Sequence, residues 1–229
     1  FMVEQRPDPN ALSLESTVKI AKKHGVKVLV DAAGQIYPLE LLAKPIRLGA
    51  DIACVAAKYM SAPQSTGFAF GTKEAIAALA KQTFIGYETR RIRGVGRPMK
   101  IDRQEIVGAV AALKRWMTLN HEERLAMIEK KSHIMAKPLK GIPGVKAEVL
   151  TSHFGHQPFG TKITIDPKVA GVTAQQVVDA LKAGDPPVWT RAAMDEGETI
   201  YLHSFGLNEG EEYTVGERVA EVLRQKARR

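Results

Sequence analysis

Asp31 closes the apolar run VKVLVD, and Lys58 closes the run ADIACVAAK. Residues of those types in those places can do chemistry. A lysine amine of lowered pKa is a nucleophile toward a carbonyl carbon, and a carboxylate beside it holds a proton or a positive charge in place. The chain has 33 Lys and Arg, enough to populate a surface without committing one to the end of a segment that reads as buried. The alternative is structural: a buried Asp–Lys ion pair, or Asp31 capping the loop that follows it. Strand-end position alone leaves the two readings even.

Other polar residues extend the set. Gln35, after the aspartate, reads either as a polar group of the same crevice or as a plain loop residue. Gln64, Ser65 and Thr66 follow the lysine loop, and their hydroxyls suit an anion or the cap of a turn; for Ser65 alone the cap is the simpler role. The stretch RRIRGVGRPMKID gathers Arg90, Arg91, Arg93, Arg97 and Lys100 around Gly94 and Gly96, ahead of a predicted helix. Glycines let a backbone approach a phosphate and a helix start adds favourable partial charge, so an anion site competes here with a solvated basic loop. Arg191 ends GDPPVWTR after a rigid Pro-Pro turn, and its planar guanidinium suits a two-pronged contact with a carboxylate. A surface arginine fits the same residues. His153 and His156 have a spacing that ligates metal on a helix, but the Phe and Gly between them and the nearby Pro argue for a loop, and no metal site is expected.

Elements must position these residues. LSLESTVKIAKKHG, with Ser13 as N-cap and Gly25 as stop, predicts a helix. VKVLVD is too apolar on both faces for a surface strand and reads as a central parallel strand. PLELLAKPIRLG predicts a short helix interrupted by Pro45, ADIACVAAK a second buried strand, GFAFG a third, and TKEAIAALAKQ a helix. This alternation predicts an α/β fold with a mostly parallel sheet. In parallel sheets chemistry gathers at the carboxyl ends of strands, where Asp31 and Lys58 both fall.

From Gly86 to Asp102 no period holds, and the segment reads as a loop. The stretch from Arg103 to Leu139 then keeps helical spacing, with a possible break at Asn120, and reads as a connection between domains. VKAEVL, TKITID, VWTRAAM and TIYLHSF follow as strands, TAQQVVDALKAG and YTVGERVAEVLRQKA as helices. The expected division is 1–118 in a large domain, 119–132 in an interdomain helix and 133–229 in a small α+β domain.

A chain of 229 residues can bury a substantial core. No apolar run reaches membrane-spanning length and no signal-peptide order opens the chain, so a cytoplasmic location without a membrane partner is expected. Cys54 is the single cysteine, which excludes an internal disulfide and a thiolate metal cluster within one chain. The net charge of +8 suits nucleic acid, acidic metabolites or simple solubility. The basic residues are spread along the chain, and aromatics, at 6%, do not interleave with them as in nucleic-acid platforms. The chain opens on Phe1 and Met2, which reads as a piece of a longer protein.

AKKHGVKVLVDAAGQ, GADIACVAAKYMSAPQSTGFAFGTKEAI, GRPMKIDRQEIVGAVAAL, GIPGV and GDPPVWTR, in that order, resemble the fold-type I pyridoxal-phosphate enzymes. Within them the chain resembles the selenocysteine synthase (L-seryl-tRNA selenium transferase)-like, aminotransferase class V-like group, which includes relatives such as D-glucosaminate-6-phosphate ammonia lyase. The resemblance covers nearly the whole chain. It agrees with the residues, since pyridoxal phosphate needs a lysine amine for its aldehyde and an acidic partner for its pyridinium nitrogen.

The resemblance implies Lys58 as the Schiff-base lysine, Asp31 as the ring-nitrogen partner, Gln35, Gly96 and Arg97 as cofactor ligands, and Arg191 as a ligand of the substrate carboxylate; Ser65 and Thr66, by their place after the lysine loop, are candidate ligands of the cofactor phosphate or caps of the turn. It implies the C-terminal part of the large domain followed by the small domain, with a glycine-rich phosphate cradle and a ring-stacking residue expected before Phe1. It also implies a homodimer or higher homo-oligomer, the Gly96–Arg97 loop reaching the cofactor of the partner subunit. One position departs: many relatives carry a Ser two or three residues before the lysine, where Val55 and Ala56 stand. The expected function is a lyase or transferase acting on the amino group of an amino acid or amino sugar; elimination, transamination and racemisation share its first steps. The alternatives are a tRNA-binding selenium transferase proper and a non-catalytic fragment that kept the fold.

Overall fold

Ser13 Oγ accepts a hydrogen bond from the Ser16 N–H at 3.1 Å and starts helix α1, Leu14–Lys23, satisfying one of the donors a helix start leaves open. Gly25 follows at φ 65°, a left-handed turn that glycine makes without strain, and the chain enters strand β1, Leu29–Asp31. Helix α2, Glu40–Arg47, contains Pro45 and buries it. Strand β2, Ile52–Ala56, then lies parallel to β1 with Asp31 opposite Cys54. Asp51 fixes that register: its carboxylate accepts the Val28 N–H at 2.9 Å and stands 3.0 Å from Lys27 Nζ. The Val28 bond and then the Lys27 bond hold the Asp51 carboxyl below its ordinary range.

Strand β3, Gly67–Gly71, runs antiparallel to β2. The connection between them contains only a short 3-10 turn, Ala57–Met60, too little chain for the crossover that a parallel pair requires. Among the described residues the sheet has the order β1-β2-β3, one parallel pair and one antiparallel pair. Val28, Val30, Ala32, Ala53 and Val55 are buried with Val18, Ile36, Met60, Ala112 and Trp116. The alternate residues Leu29, Asp31, Ile52, Cys54 and Ala56 are half-buried or exposed. Leu29 is 51% exposed, so β1 is an edge strand with one covered face here. Its apolar composition predicts burial on both faces, but composition does not say what does the covering.

The computed structural model describes residues 10–90, 94–151, 160–193 and 197–226. They divide into two compact units, Phe1–Leu119 and Asn120–Arg229. The first is completed by α3, Lys73–Lys81, α4, Phe84–Arg90, and α5, Arg103–Thr118. Helix α4 begins where no period is legible: Thr83 Oγ1 accepts the Gly86 N–H at 3.1 Å, and a helix of two turns is too short to display a period. A reciprocal capping box between Asp102 and Glu105 opens α5.

The long helical stretch is two helices. Asn120 caps α6, His121–Ala136, by accepting the Glu123 N–H at 3.2 Å, so residues 121–132 are part of a helix of the second unit. There β4, Val145–Leu150, β5, Gly160–Ile165, and β6, Thr199–Leu202, form an antiparallel sheet in that order. Helices α7, Pro167–Ala170, α8, Ala174–Lys182, and α9, Glu211–Lys226, complete the unit. Ile163, Ile200 and Leu202 pack with Met135, Leu139, Val177, Leu181, Val219 and Leu223 in its core. Among the described residues, VWTRAAM, predicted as a strand, forms a single bridge, Ala192 to Ile200. No helix among the described residues is long and apolar enough to cross a membrane.

Candidate functional site

Asp31 ends β1 and Lys58 stands just past the end of its parallel neighbour β2. Two backbone bonds carry the ladder beyond the strands, Ala32 N–H to the Cys54 carbonyl and Ala56 N–H to the Ala33 carbonyl, each at 2.9 Å. The turn after Asp31 is thereby tied to the residues before Lys58. Both side chains are exposed, which removes the buried ion pair as an explanation. Asp31 Oδ1 does accept the Ala33 N–H at 3.2 Å, so the carboxylate is oriented by its own turn. The Cys54 thiol is pushed up, by burial first and by the Asp31 carboxylate second. Asp31 therefore shares the uncovered sheet face with Cys54 and Ala56, both small side chains.

Lys58 lies in the 3-10 turn, with Nζ 5.3 Å from the centroid of the Tyr59 ring, within the range of a cation–π contact. The same ring packs on Gly34, where an added Cβ would meet it at 3.5 Å. Ser61 closes the turn at φ 65°, a left-handed conformation that costs a non-glycine residue roughly 1–2 kcal/mol. Such strain concentrates at functional sites, and Ser61 carries no sequence signal that could have announced it.

Thr66 is buried; its hydroxyl donates to the Pro63 carbonyl at 2.6 Å and its carbonyl accepts the Ala57 N–H at 2.9 Å. The Ser65 hydroxyl donates to the Glu105 carboxylate, and that bond is the first cause holding Glu105 below its ordinary range. Gly108 on α5 approaches Pro63 so closely that a Cβ would lie 2.9 Å from its ring. The structure thus places Ser65 and Thr66 beside Lys58 as braces of its loop, where the sequence also allows donors to an anion. Gln35, 8% exposed, gives its N–H to the Ala32 carbonyl at 2.8 Å. Trp116 Nε1 donates to the next carbonyl, that of Ile36, at 3.1 Å. Trp116 is a positioning residue that the sequence does not mark.

Gly96 is buried against Gln82, whose carbonyl oxygen would stand 1.8 Å from an added Cβ. Its missing side chain serves that approach, where the sequence reading gives it to a phosphate. Arg97 is engaged within its own chain: Nε lies 3.2 Å from Glu88 Oε1, and the guanidinium lies 5.1 Å and 5.4 Å from the Phe84 and Tyr87 ring centroids. Helix α4 thus supplies Arg97 with an acid and two rings from within its own chain. Arg91, Arg93, His153 and His156 lie outside the described residues.

In the second unit Arg191 is exposed, in an extended segment beside β6. Thr190 Oγ1 donates to the Tyr201 carbonyl at 3.2 Å and Ala193 N–H to the Thr199 carbonyl at 2.8 Å. With Ala192 opposite Ile200, this register sets Arg191 opposite Tyr201, on the face away from the core. His203 is held below its ordinary range, by burial first and by the Arg191 charge second. Alternation in TIYLHSF, with Ile200 and Leu202 inward, could have paired His203 with Tyr201 from sequence.

No family model matches the chain. Over 178 residues it is 28% identical to the 5'-C-glycyluridine monooxygenase-decarboxylase of a Streptomyces species, covering 78% of this chain and 41% of that protein. Over 217 residues it is 26% identical to the D-glucosaminate-6-phosphate ammonia lyase of Salmonella typhimurium, covering 94% and 54%. A solved D-glucosaminate-6-phosphate ammonia-lyase matches with a TM-score of 0.74 at 24% identity, over 99% of this chain and 57% of that one. A structure of SPT with pyridoxal phosphate as an internal aldimine matches with a TM-score of 0.52 at 17% identity, over 95% and 52%. The chain spans about half the length of the curated relatives it matches. Its fold is the α/β fold of these enzymes. The narrower likeness to selenocysteine synthase has no counterpart among the proteins named.

Proposed function

We propose that the chain is the part of a pyridoxal-phosphate-dependent lyase that carries the cofactor's lysine and its ring-nitrogen acid. One observation carries the reading: Asp31 and Lys58 stand at the carboxyl ends of adjacent parallel strands whose turns are bonded together. The residues suit the group. The carboxylate shares its sheet face with the small side chains of Cys54 and Ala56, and the amine is exposed on the braced turn that follows the neighbouring strand. Pyridoxal phosphate, when bound, draws electrons from the substrate α-carbon through its protonated ring.

Asp31, oriented by the Ala33 N–H, keeps the proton on the ring nitrogen. Lys58 would hold the cofactor through its aldehyde carbon and would be the group that moves a proton at the substrate α-carbon. The braces at Ser61, Thr66 and Ser65 fix the Lys58 backbone while its flexible four-carbon stem moves. Arg191 is proposed as a ligand of the substrate carboxylate, on the evidence of the second unit's own register. The likeness to D-glucosaminate-6-phosphate ammonia lyase supports elimination of ammonia from an amino-sugar acid ahead of transamination or racemisation. A homodimer belongs to the proposal, supported by exposed apolar side chains at Val95, Met99, Ile106, Val107 and Val110.

The test is ammonia release by the whole protein. Lys58→Ala should abolish it, and Asp31→Asn should lower it by about 10²–10⁴-fold while leaving the protein folded. Undiminished release by Lys58→Ala would end the reading.

A further inference from the structure

Helix α5 lays one face along both turns that carry the candidate chemistry. Glu105, Gly108, Ala112 and Trp116 recur on it at helical spacing. Toward the end of the helix Ala112 and Trp116 are buried, and the Trp116 Nε1 bond to the Ile36 carbonyl holds the turn that starts at Asp31. About three turns earlier the same face reaches the loop after Lys58. A Cβ on Gly108 would lie 2.9 Å from Cγ and 3.0 Å from Cδ of Pro63, and Glu105 accepts the Ser65 hydroxyl.

Glu105 Oε2 accepts the Asp102 N–H at 3.3 Å, its half of the capping box. The cap needs only that oxygen. The other, Oε1, takes the hydroxyl of Ser65, 40 residues earlier in the chain. Both bonds, Ser65 first, hold the Glu105 carboxyl below its ordinary range, so it is an ionised acceptor at neutral pH. From Ser65 a series of bonds leads to the lysine. Thr66 gives its hydroxyl and its N–H to the Pro63 carbonyl, at 2.6 Å and 3.1 Å. The Thr66 carbonyl accepts the N–H of Ala57, beside Lys58, at 2.9 Å. The Ala57 carbonyl accepts the Ala62 N–H at 3.2 Å, and the Lys58 carbonyl the Ser61 N–H at 3.1 Å. These bonds close the loop on itself, and Glu105 and Gly108 join it to α5.

We propose that Glu105 is a positioning residue for Lys58: acting through Ser65, it fixes the lysine's loop on α5, the helix that also holds the Asp31 turn. One rigid helix then sets where the amine stands relative to the carboxylate. The proposal rests on the reading of Lys58 as the cofactor's lysine and adds the residue that orients its loop. Placement matters to a group that moves a proton, because an error of about 1 Å can cost about 10²-fold in rate.

Hydrogen exchange of the whole protein, read by mass spectrometry on the peptide from Ala57 to Thr66, measures the brace without the reaction. Glu105→Ala should speed its exchange about three- to tenfold, Ser65→Ala equally, and the double substitution no further, because the two residues act through one bond. Asp102→Ala, which removes the other half of the cap, should speed exchange at the start of α5 and leave the loop peptide as in the wild type. Glu105→Gln should keep the wild-type loop, since an amide can give an N–H to the Ser65 oxygen while its carbonyl accepts the Asp102 N–H. In ammonia release Glu105→Ala should lower kcat about tenfold with KM little changed, and Glu105→Gln should restore it. Unchanged loop exchange in Glu105→Ala or Ser65→Ala would overturn the proposal. So would equal loosening of the loop by Asp102→Ala, which would make Glu105 a cap alone, or an unchanged kcat in a loosened loop. If Lys58→Ala still releases ammonia while the exchange pattern holds, the cofactor reading falls and the bracing of this loop stands.

Discussion

Trp116→Phe should destabilise the first unit by about 2–4 kcal/mol, although the residue touches neither Asp31 nor Lys58 through any bond described here. Trp116 is 5% exposed on α5, and its Nε1 donates to the Ile36 carbonyl at 3.1 Å. That carbonyl ends the turn that starts at Asp31 and holds Gln35. A buried carbonyl deprived of its donor costs about 1–3 kcal/mol. The smaller ring also leaves a cavity of roughly 40 Å³, worth about 1 kcal/mol at roughly 24 cal/mol per Å³. Guanidinium unfolding followed by far-UV circular dichroism measures the loss. The control is Trp189→Phe, since Trp189 is 73% exposed and its indole meets only the Lys182 ammonium at 4.4 Å among the contacts described; it should cost no more than about 1 kcal/mol. A Trp116→Phe loss as small as the control's would refute the view that α5 anchors this turn.

Cys54 should react slowly with iodoacetamide at neutral pH, because burial and then the Asp31 carboxylate raise its thiol pKa and deplete the thiolate. Asp31→Asn removes the second cause and should speed labelling several-fold; an unchanged rate would separate Asp31 from that face. Arg191→Ala should raise the His203 pKa, read by NMR titration, though burial keeps it below the ordinary imidazole value; an unmoved titration would dissociate the two side chains. Val107→Lys should shift the sedimenting mass from dimer to monomer, because Val107 is exposed and apolar on α5. A wild-type monomer would refute the dimer.

Local signals carried well from sequence to structure where a single chemical preference decides the outcome. Ser13 caps α1, and TAQQVVDALKAG forms helix α8. The placement of Asp31 and Lys58 was legible because each ends an apolar run, and both stand exposed at the carboxyl ends of adjacent parallel strands. Features that depend on a second segment were not legible. The direction of β3 follows from a connection too short to cross over, and the uncovered face of β1 follows from what lies against it. VWTRAAM has strand composition, yet Pro186 and Pro187 just ahead of it lack backbone donors, and among the described residues it gains one bridge. The partners of Arg97 were not legible because α4, which supplies Glu88 and the rings of Phe84 and Tyr87, is too short to reveal itself.

The central claim is that Lys58 is the residue that takes the cofactor. Incubating the whole protein with pyridoxal phosphate, reducing with borohydride and mapping peptides by mass spectrometry tests it without needing the substrate. One added cofactor mass on the peptide containing Lys58, absent from Lys58→Ala and diminished in Asp31→Asn, is the predicted result. Stoichiometric labelling of another lysine, with Lys58 unmodified, would contradict the account.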